Sequence, residues 1–252
     1  MKFYTALFLV LSAALFSQTL VPLDTLRLRD TEDIMVDDYG SVYLYRNKNF
    51  SLKKYSLRSS EAGSLMFTVP YKVQSVRNPL NIPLFSENAQ ELRFVDHNLN
   101  NIQTIDLKSF GFIKMAFAED HQQIWLLEES TRRLLKYNFR EQKILSSYPF
   151  HSELADIRDL MVYEDKVYML YPDKFAVQDL SGNILFSQEL RRGVRLRREN
   201  SNVQIVSKNK IYQYAAGGNL KKIFEVPGAR IVDKNSTAYF AVVGNMLYLY
   251  GL

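Results

Sequence analysis

A basic residue recurs behind a small or branched apolar one at five places: Ser75-Val76-Arg77, Phe112-Ile113-Lys114, Asp156-Ile157-Arg158, Gly193-Val194-Arg195 and Gly228-Ala229-Arg230. Guanidinium and ammonium groups held close together repel, and a phosphate, carboxylate or acidic sugar relieves that repulsion. Anion binding is therefore the chemistry that Arg77, Lys114, Arg158, Arg195 and Arg230 could do together. A sixth matching place carries Glu32-Asp33 instead, an acidic gap in the set. Local pairing competes with this reading. Arg158 lies between Asp156 and Asp159, Asp233 follows Arg230, and long basic side chains at strand ends reach for water. A secondary basic cluster, Arg191, Arg192, Arg195, Arg197 and Arg198, falls within eight residues. It could meet lipid phosphates or an acidic partner, or form a charged loop rim. No aromatic residue interleaves these arginines for base stacking, which disfavours nucleic acid.

Catalytic chemistry is harder to place. His97, His121 and His151 fall in loop-like stretches without metal-ligand spacing. Gly-x-Ser-x-Gly, His-Glu-x-x-His and phosphate-loop patterns are missing. Asp37-Asp38 is not followed by the spaced acidic series of a calcium loop and reads as a turn. A metal-dependent hydrolase or lactonase would need one Glu and several Asn or Asp converging on one point. Asp33, Asn78 and Asp159 are the nearest approach to such a set. The expectation is a binding protein rather than an enzyme, with no cofactor and no metal. The metal-dependent hydrolase is the alternative.

The elements that must position these residues come from a repeat. Apolar bursts follow polar turns, with first residues Val42, Ile82, Ile124, Val167, Val203 and Ala238, at steps of 40, 42, 43, 36 and 35 residues. Each burst reads as the second strand of a four-strand phrase. Around Trp125 the phrase is 112–117, 124–127, 134–139 and 144–148; the next is 157–163, 167–171, 175–180 and 184–190. Ser181-Gly182-Asn183 marks the hairpin turn before the fourth strand, and Gly217-Gly218-Asn219 stands at the matching place one unit later. Four short strands in roughly 40 residues, repeated in phase, predict an all-β chain folded as a six-bladed β-propeller. The last unit supplies only three strands, and residues 19–28 are free to add the fourth. That closure by an N-terminal strand removes exposed edges. In such a ring the inner strands line a channel, and the five basic residues would gather at one mouth of it. Alternating tyrosines, Tyr43 and Tyr45, Tyr212 and Tyr214, Tyr248 and Tyr250, are expected to pack between blades.

The first residues address the chain. Lys2 precedes an apolar run over 3–16, and small residues follow up to Ser17-Gln18. This is a secretory leader pattern, too short to span a membrane comfortably. Residues 1–17 are expected to be the signal peptide and 18–252 a single propeller domain, in the periplasm or outside the cell. The chain of 252 residues contains no cysteine, so an exported fold must be held by packing alone, and thiolate chemistry is excluded. Its net charge of +5 permits an anionic partner without demanding one. The expected partners are an envelope protein or an anionic glycan or phosphate ligand.

The phrase Asp37-Asp38-Tyr39-Gly40-Ser41-Val42-Tyr43-Leu44 resembles the turn-and-strand of NHL-like and sensor-type propeller repeats, and Glu119-Asp120-His121-Gln122-Gln123-Ile124-Trp125-Leu126 is a degenerate copy. The chain is also similar to small exported six-bladed propellers of Bacteroidota, whose leaders often end Phe-Ser-Gln. The resemblance implies the fold and carries no activity with it.

Overall fold

A computed structural model of the chain describes residues 21–23, 31–56, 61–215 and 218–252. The expected leader, most of the closing segment 19–28 and Gly217 lie outside the described residues. Six four-stranded antiparallel sheets follow one another around a ring. The second strands begin at Val42, Ile82, Gln123, Lys166, Asn202 and Ala238, within one residue of the repeat read from sequence.

Burial explains why each strand has its composition. The second strands lie between blades and are covered on both faces: every residue of Ile82–Ser86 is buried. Fourth strands face water, and Ile184–Glu189 is exposed at all but one position. The apolar residues do not form one core but one cluster per blade junction. Leu92, Phe94, Ile113 and Leu126 join blades 2 and 3, for example. Ile34, Val36, Val42 and Leu44 of blade 1 pack on Ile231, Phe240, Val242 and Leu247 of blade 6, so the ring is closed by packing. It is also closed by hydrogen bonding. Strand Val21–Leu23 pairs antiparallel with Met246–Gly251 and supplies the outer strand of blade 6. The tyrosines pack as expected. Tyr214 meets Tyr168, Phe175 and Phe186 across the junction of blades 4 and 5, and the buried Tyr43 donates its hydroxyl to Asp37 at 3.1 Å.

The inner strands position everything near the axis: Asp33–Val36, Lys72–Val73, Ile113–Ala118, Asp159–Tyr163, Gly193–Glu199 and Ala229–Lys234. Their connections to the second strands differ widely, two residues in blades 4 and 5 against eight in blade 2. Three inner strands also bulge, at Lys114, Val194 and Arg230, where the pairing register skips one residue. A bulge leaves its residue out of the ladder and re-aims the side chains beside it. Asp37 forms a turn, as expected. Its Oδ1 accepts hydrogen bonds from Tyr39 N at 3.0 Å and Ser41 N at 2.7 Å.

Candidate functional site at the channel mouth

Ladder register, rather than spacing along the chain, identifies which inner-strand residues are equivalent. Asp33, Lys72, Met115, Asp159, Arg195 and Ile231 pair with Tyr45, Phe85, Leu127, Leu170, Val206 and Val242, the same position of each second strand. These six form one ring around the axis. Contacts between non-adjacent blades show that it faces inward. Arg195 of blade 5 reaches Asp33 of blade 1 at 2.6 and 2.7 Å, and Lys72 of blade 2 reaches Asp159 of blade 4 at 2.6 Å. Two ion pairs, each reaching past one intervening blade, therefore plug the channel side by side.

The arginine of that plug is saturated. Its side chain is 6 % exposed and also bonds Ile34 O at 2.8 Å, with Asp233 Oδ1 at 3.0 Å. Burial disfavours its charge, but Asp33 and Asp233 outweigh that and hold its ionisation above the ordinary guanidinium range. Asp159 turns its second oxygen to Leu196 N at 2.6 Å.

Side chains two residues further along a strand point the same way. The next inward ring is therefore Met35, Gln74, Phe117, Met161, Arg197 and Asp233, and all six line a cavity of about 590 Å³. Only Arg195 of the plug ring lines the same cavity. The channel is thus stopped by the plug near the start of the inner strands and opens as a bowl where they end. Asp38, Tyr39, Arg77, Glu119, His121 and Arg198 are on the rim.

The five basic residues expected to converge do not occupy one equivalent position. Lys114 and Arg230 fall on bulges, and Arg158 sits just ahead of the ladder with its N bonding Leu170 O at 2.7 Å. Lys114 pairs with Glu87 at 2.8 Å, exposed Arg158 donates to Gly193 O at 3.1 Å, and Arg230 donates to Thr31 O at 2.5 Å. Arg195 is in the plug, and Arg77 lies beyond its two-residue inner strand, in the long connection of blade 2. Triplet spacing counts residues, whereas the sheet counts ladder pairs; bulges and unequal connections separate the two. The structure does bring Arg77, Arg195, Arg197 and Arg198 to one cavity, mixing members of both expected clusters. Arg191 and Arg192 are exposed outside it, Arg191 beside Glu189 at 2.7 Å. Lys72 was not singled out in the sequence, and Asp233 was read only as a local partner of Arg230; in the structure it pairs with Arg195 and Arg197.

Charge in the bowl is balanced in number but not in hydrogen-bonding capacity. Its rim carboxylates are engaged, whereas Asp233 Oδ1 is buried without a hydrogen bond. Glu119 accepts from Trp125 Nε1 and pairs with Lys136, both at 2.9 Å. Asp120 accepts Gln122 N and Gln123 N, and Asp38 accepts Ser236 N at 2.9 Å. The guanidiniums are underused. Arg197 Nε is buried without a hydrogen bond, and its Nη1 lies 3.6 Å from Asp233 Oδ1. Arg77 reaches across to blade 5 with long contacts, 3.2 Å to Arg198 O and 3.5 Å to Asn200 Oδ1, and lies 3.4 Å from Asp38. Arg198 stacks 3.9 Å over Tyr163 and donates to Asn200 O. The three histidines are exposed, and among the described residues no group of three or more His, Asp or Glu side chains is placed to hold a metal ion. Asp33 and Asp159 face the axis, each bound to a cation.

No protein-family model matches the chain, and no curated protein matches it in sequence. Solved structures do match in shape. A streptogramin B lyase superposes with a TM-score of 0.55 at 13% identity, covering 92% of this chain and 87% of its own. A catalytically inactive virginiamycin B lyase from Staphylococcus aureus, solved with quinupristin, gives 0.53 at 11%, covering 93% and 99%. The Pan2 WD40 domain of Neurospora crassa gives 0.51 at 9%, covering 88% of each. The chain is a six-bladed β-propeller, and its shape is similar to that of proteins of varied roles. At these identities the likeness concerns the fold alone.

Proposed function

We propose that the chain is a non-catalytic binding module that takes an anionic group into the bowl at the channel mouth. Arg197 and Arg198 are the principal donors, and Arg77 closes over the bound group from blade 2. The observation that carries this reading is the mismatch in spare valence. The rim carboxylates are satisfied by their own neighbourhoods, while the buried Arg197 Nε–H lacks an acceptor and Arg77 holds Asn200 only at 3.5 Å; Asp233 Oδ1, buried without a hydrogen bond, is the one bowl carboxylate oxygen with valence to spare. An unmet donor in a partly desolvated cavity is costly until an acceptor arrives, and a charge-assisted bond to a carboxylate or phosphate is the strong solution. Envelope location belongs to the same proposal and is supported by the leader pattern of residues 1–17. NHL-like character is supported by the Asp37–Leu44 phrase.

The test is a thermal-shift screen at low salt with phosphate, an acidic glycan and a short carboxylate peptide, run beside Arg197→Gln/Arg198→Gln. A ligand at about a hundred times its Kd stabilises by roughly 2.7 kcal/mol. The expected result is a shift in wild type that the variant lacks. Equal shifts in both would move the site elsewhere on the molecule.

A further inference from the structure

A second cavity of about 270 Å³ opens beside the bowl and shares Asn78, Asn81, Phe94 and His121 with it. It runs outward over blades 2 and 3, past Leu80, Ile102, Gln103, Phe139 and Arg140. The two are one continuous surface, a bowl on the axis with a radial cleft leading away from it. Each part has its own chemistry. Met35, Phe117 and Met161 make half of the bowl's inner ring apolar, directly beside Arg197. Flexible thioethers and a ring suit an apolar group of variable shape. The cleft is lined by the carboxamides Asn78, Asn81 and Gln103. A carboxamide offers a donor and an acceptor together, which matches the alternating N–H and C=O of an extended chain. Asn81 is already held in place by His121 Nδ1 at 2.8 Å.

We infer that the ligand is a peptide whose free C-terminus enters the bowl. The α-carboxylate meets Arg197 and Arg198, the terminal apolar side chain rests on Met35, Phe117 and Met161, and the preceding residues lie in the cleft. The inference rests on the anion reading of the bowl and specifies its ligand. A peptide fits the cleft better than a glycan because sugar rings stack on open aromatic faces. In the cleft the aromatics Phe94 and Phe139 are buried at 2 % and 8 % exposure and the open apolar groups are aliphatic, Leu80 at 65 % and Ile102 at 53 %; the one open aromatic ring lining either cavity, Tyr39, stands on the bowl rim outside the cleft. Terminal carboxylate capture by clustered donors, with side chains read in adjoining pockets, is an established recognition mode.

The experiment uses a fluorescein-labelled Gly-Ser-Gly-Ser-Ala-Leu peptide at low salt, followed by anisotropy. Its free acid is compared with its C-terminal amide, and N-acetyl-leucine serves as a probe of the bowl alone. The free acid should bind at least about tenfold more tightly than the amide, the effect of one charge-assisted hydrogen bond. Arg197→Gln should erase that difference. Leu80→Ser/Ile102→Ser, at two exposed positions, should weaken the hexapeptide several-fold and leave N-acetyl-leucine competition unchanged. Equal binding of acid and amide would overturn the inference. So would a uronate oligosaccharide that binds where the peptide does not. If phosphate or N-acetyl-leucine binds the bowl but the hexapeptide gains nothing over N-acetyl-leucine, only the peptide assignment fails. If none of these anions binds, the anion reading fails with it.

Discussion

The two inward rings stand two residues apart along the chain in each blade, yet they use arginine in opposite ways. In the plug ring Arg195 has two carboxylates and a backbone carbonyl, and it is shut away from water. In the bowl ring Arg197 shares Asp233 at 3.6 Å and leaves a buried N–H unused. Residue type is identical and the distance along the chain is one strand step. What separates a structural arginine from a recognition arginine here is how many acceptors the neighbouring blades present. A buried cation surrounded by partners is a structural cross-brace; one with valence to spare is poised for a ligand.

The sharpest way to break this contrast is Arg195→Met. It strands Asp33 and Asp233 without their cation, and breaking a buried pair from one side costs about 3–5 kcal/mol. Urea unfolding should show a lower midpoint, equivalent through the m-value to a free-energy loss of that size; an unchanged midpoint would mean the plug carries no stability. Lys72→Met should cost less, about 1–2 kcal/mol, because its side chain is 31 % exposed and Asp159 keeps its bond to Leu196 N. The same denaturation series ranks the two. On the bowl side, Asp38→Asn removes the carboxylate that engages Arg77 while keeping an oxygen for Ser236 N. Anion affinity, read by calorimetric titration, should rise roughly two- to threefold with stability unchanged.

The smallest effect lies away from the axis. Burial would raise the Glu128 carboxyl, but hydrogen bonds from Thr131 and Ser130 outweigh it and hold the group below its ordinary range. An acid depressed in the folded state adds stability at neutral pH that is lost as pH falls through its lowered folded value. Between pH 7 and pH 3 the wild type should lose more Tm than Glu128→Gln. Parallel curves would remove Glu128 from the acid response.

The architecture was legible because its signals are local. Bursts such as Ile124-Trp125-Leu126-Leu127 must be apolar on both faces to fit between blades, and Ser181-Gly182-Asn183 must turn, with Gly182 at φ +91°. Both requirements are written in adjacent residues. The site was legible only in part because it depends on register across blades. Arg197 and Arg198 could be seen as basic but not placed, since the axis-facing position depends on where each ladder starts. The eight-residue connection of blade 2 carried Arg77 to the opposite mouth from Lys114 and Arg230, and the bulges turned those two away from the axial ladder position. Pairing was equally hidden: nothing near Arg195 in sequence announces Asp33, 162 residues away.

The most direct measurement sets the two rings against each other in one experiment. Urea midpoints and citrate-induced thermal shifts would be recorded in parallel for wild type, Arg195→Met and Arg197→Gln/Arg198→Gln. The first variant should lose several kcal/mol of stability. The second should keep its unfolding free energy within about 1 kcal/mol of wild type while losing the citrate shift. A bowl variant that still responds to citrate as wild type does, or a plug variant as stable as wild type, would contradict it.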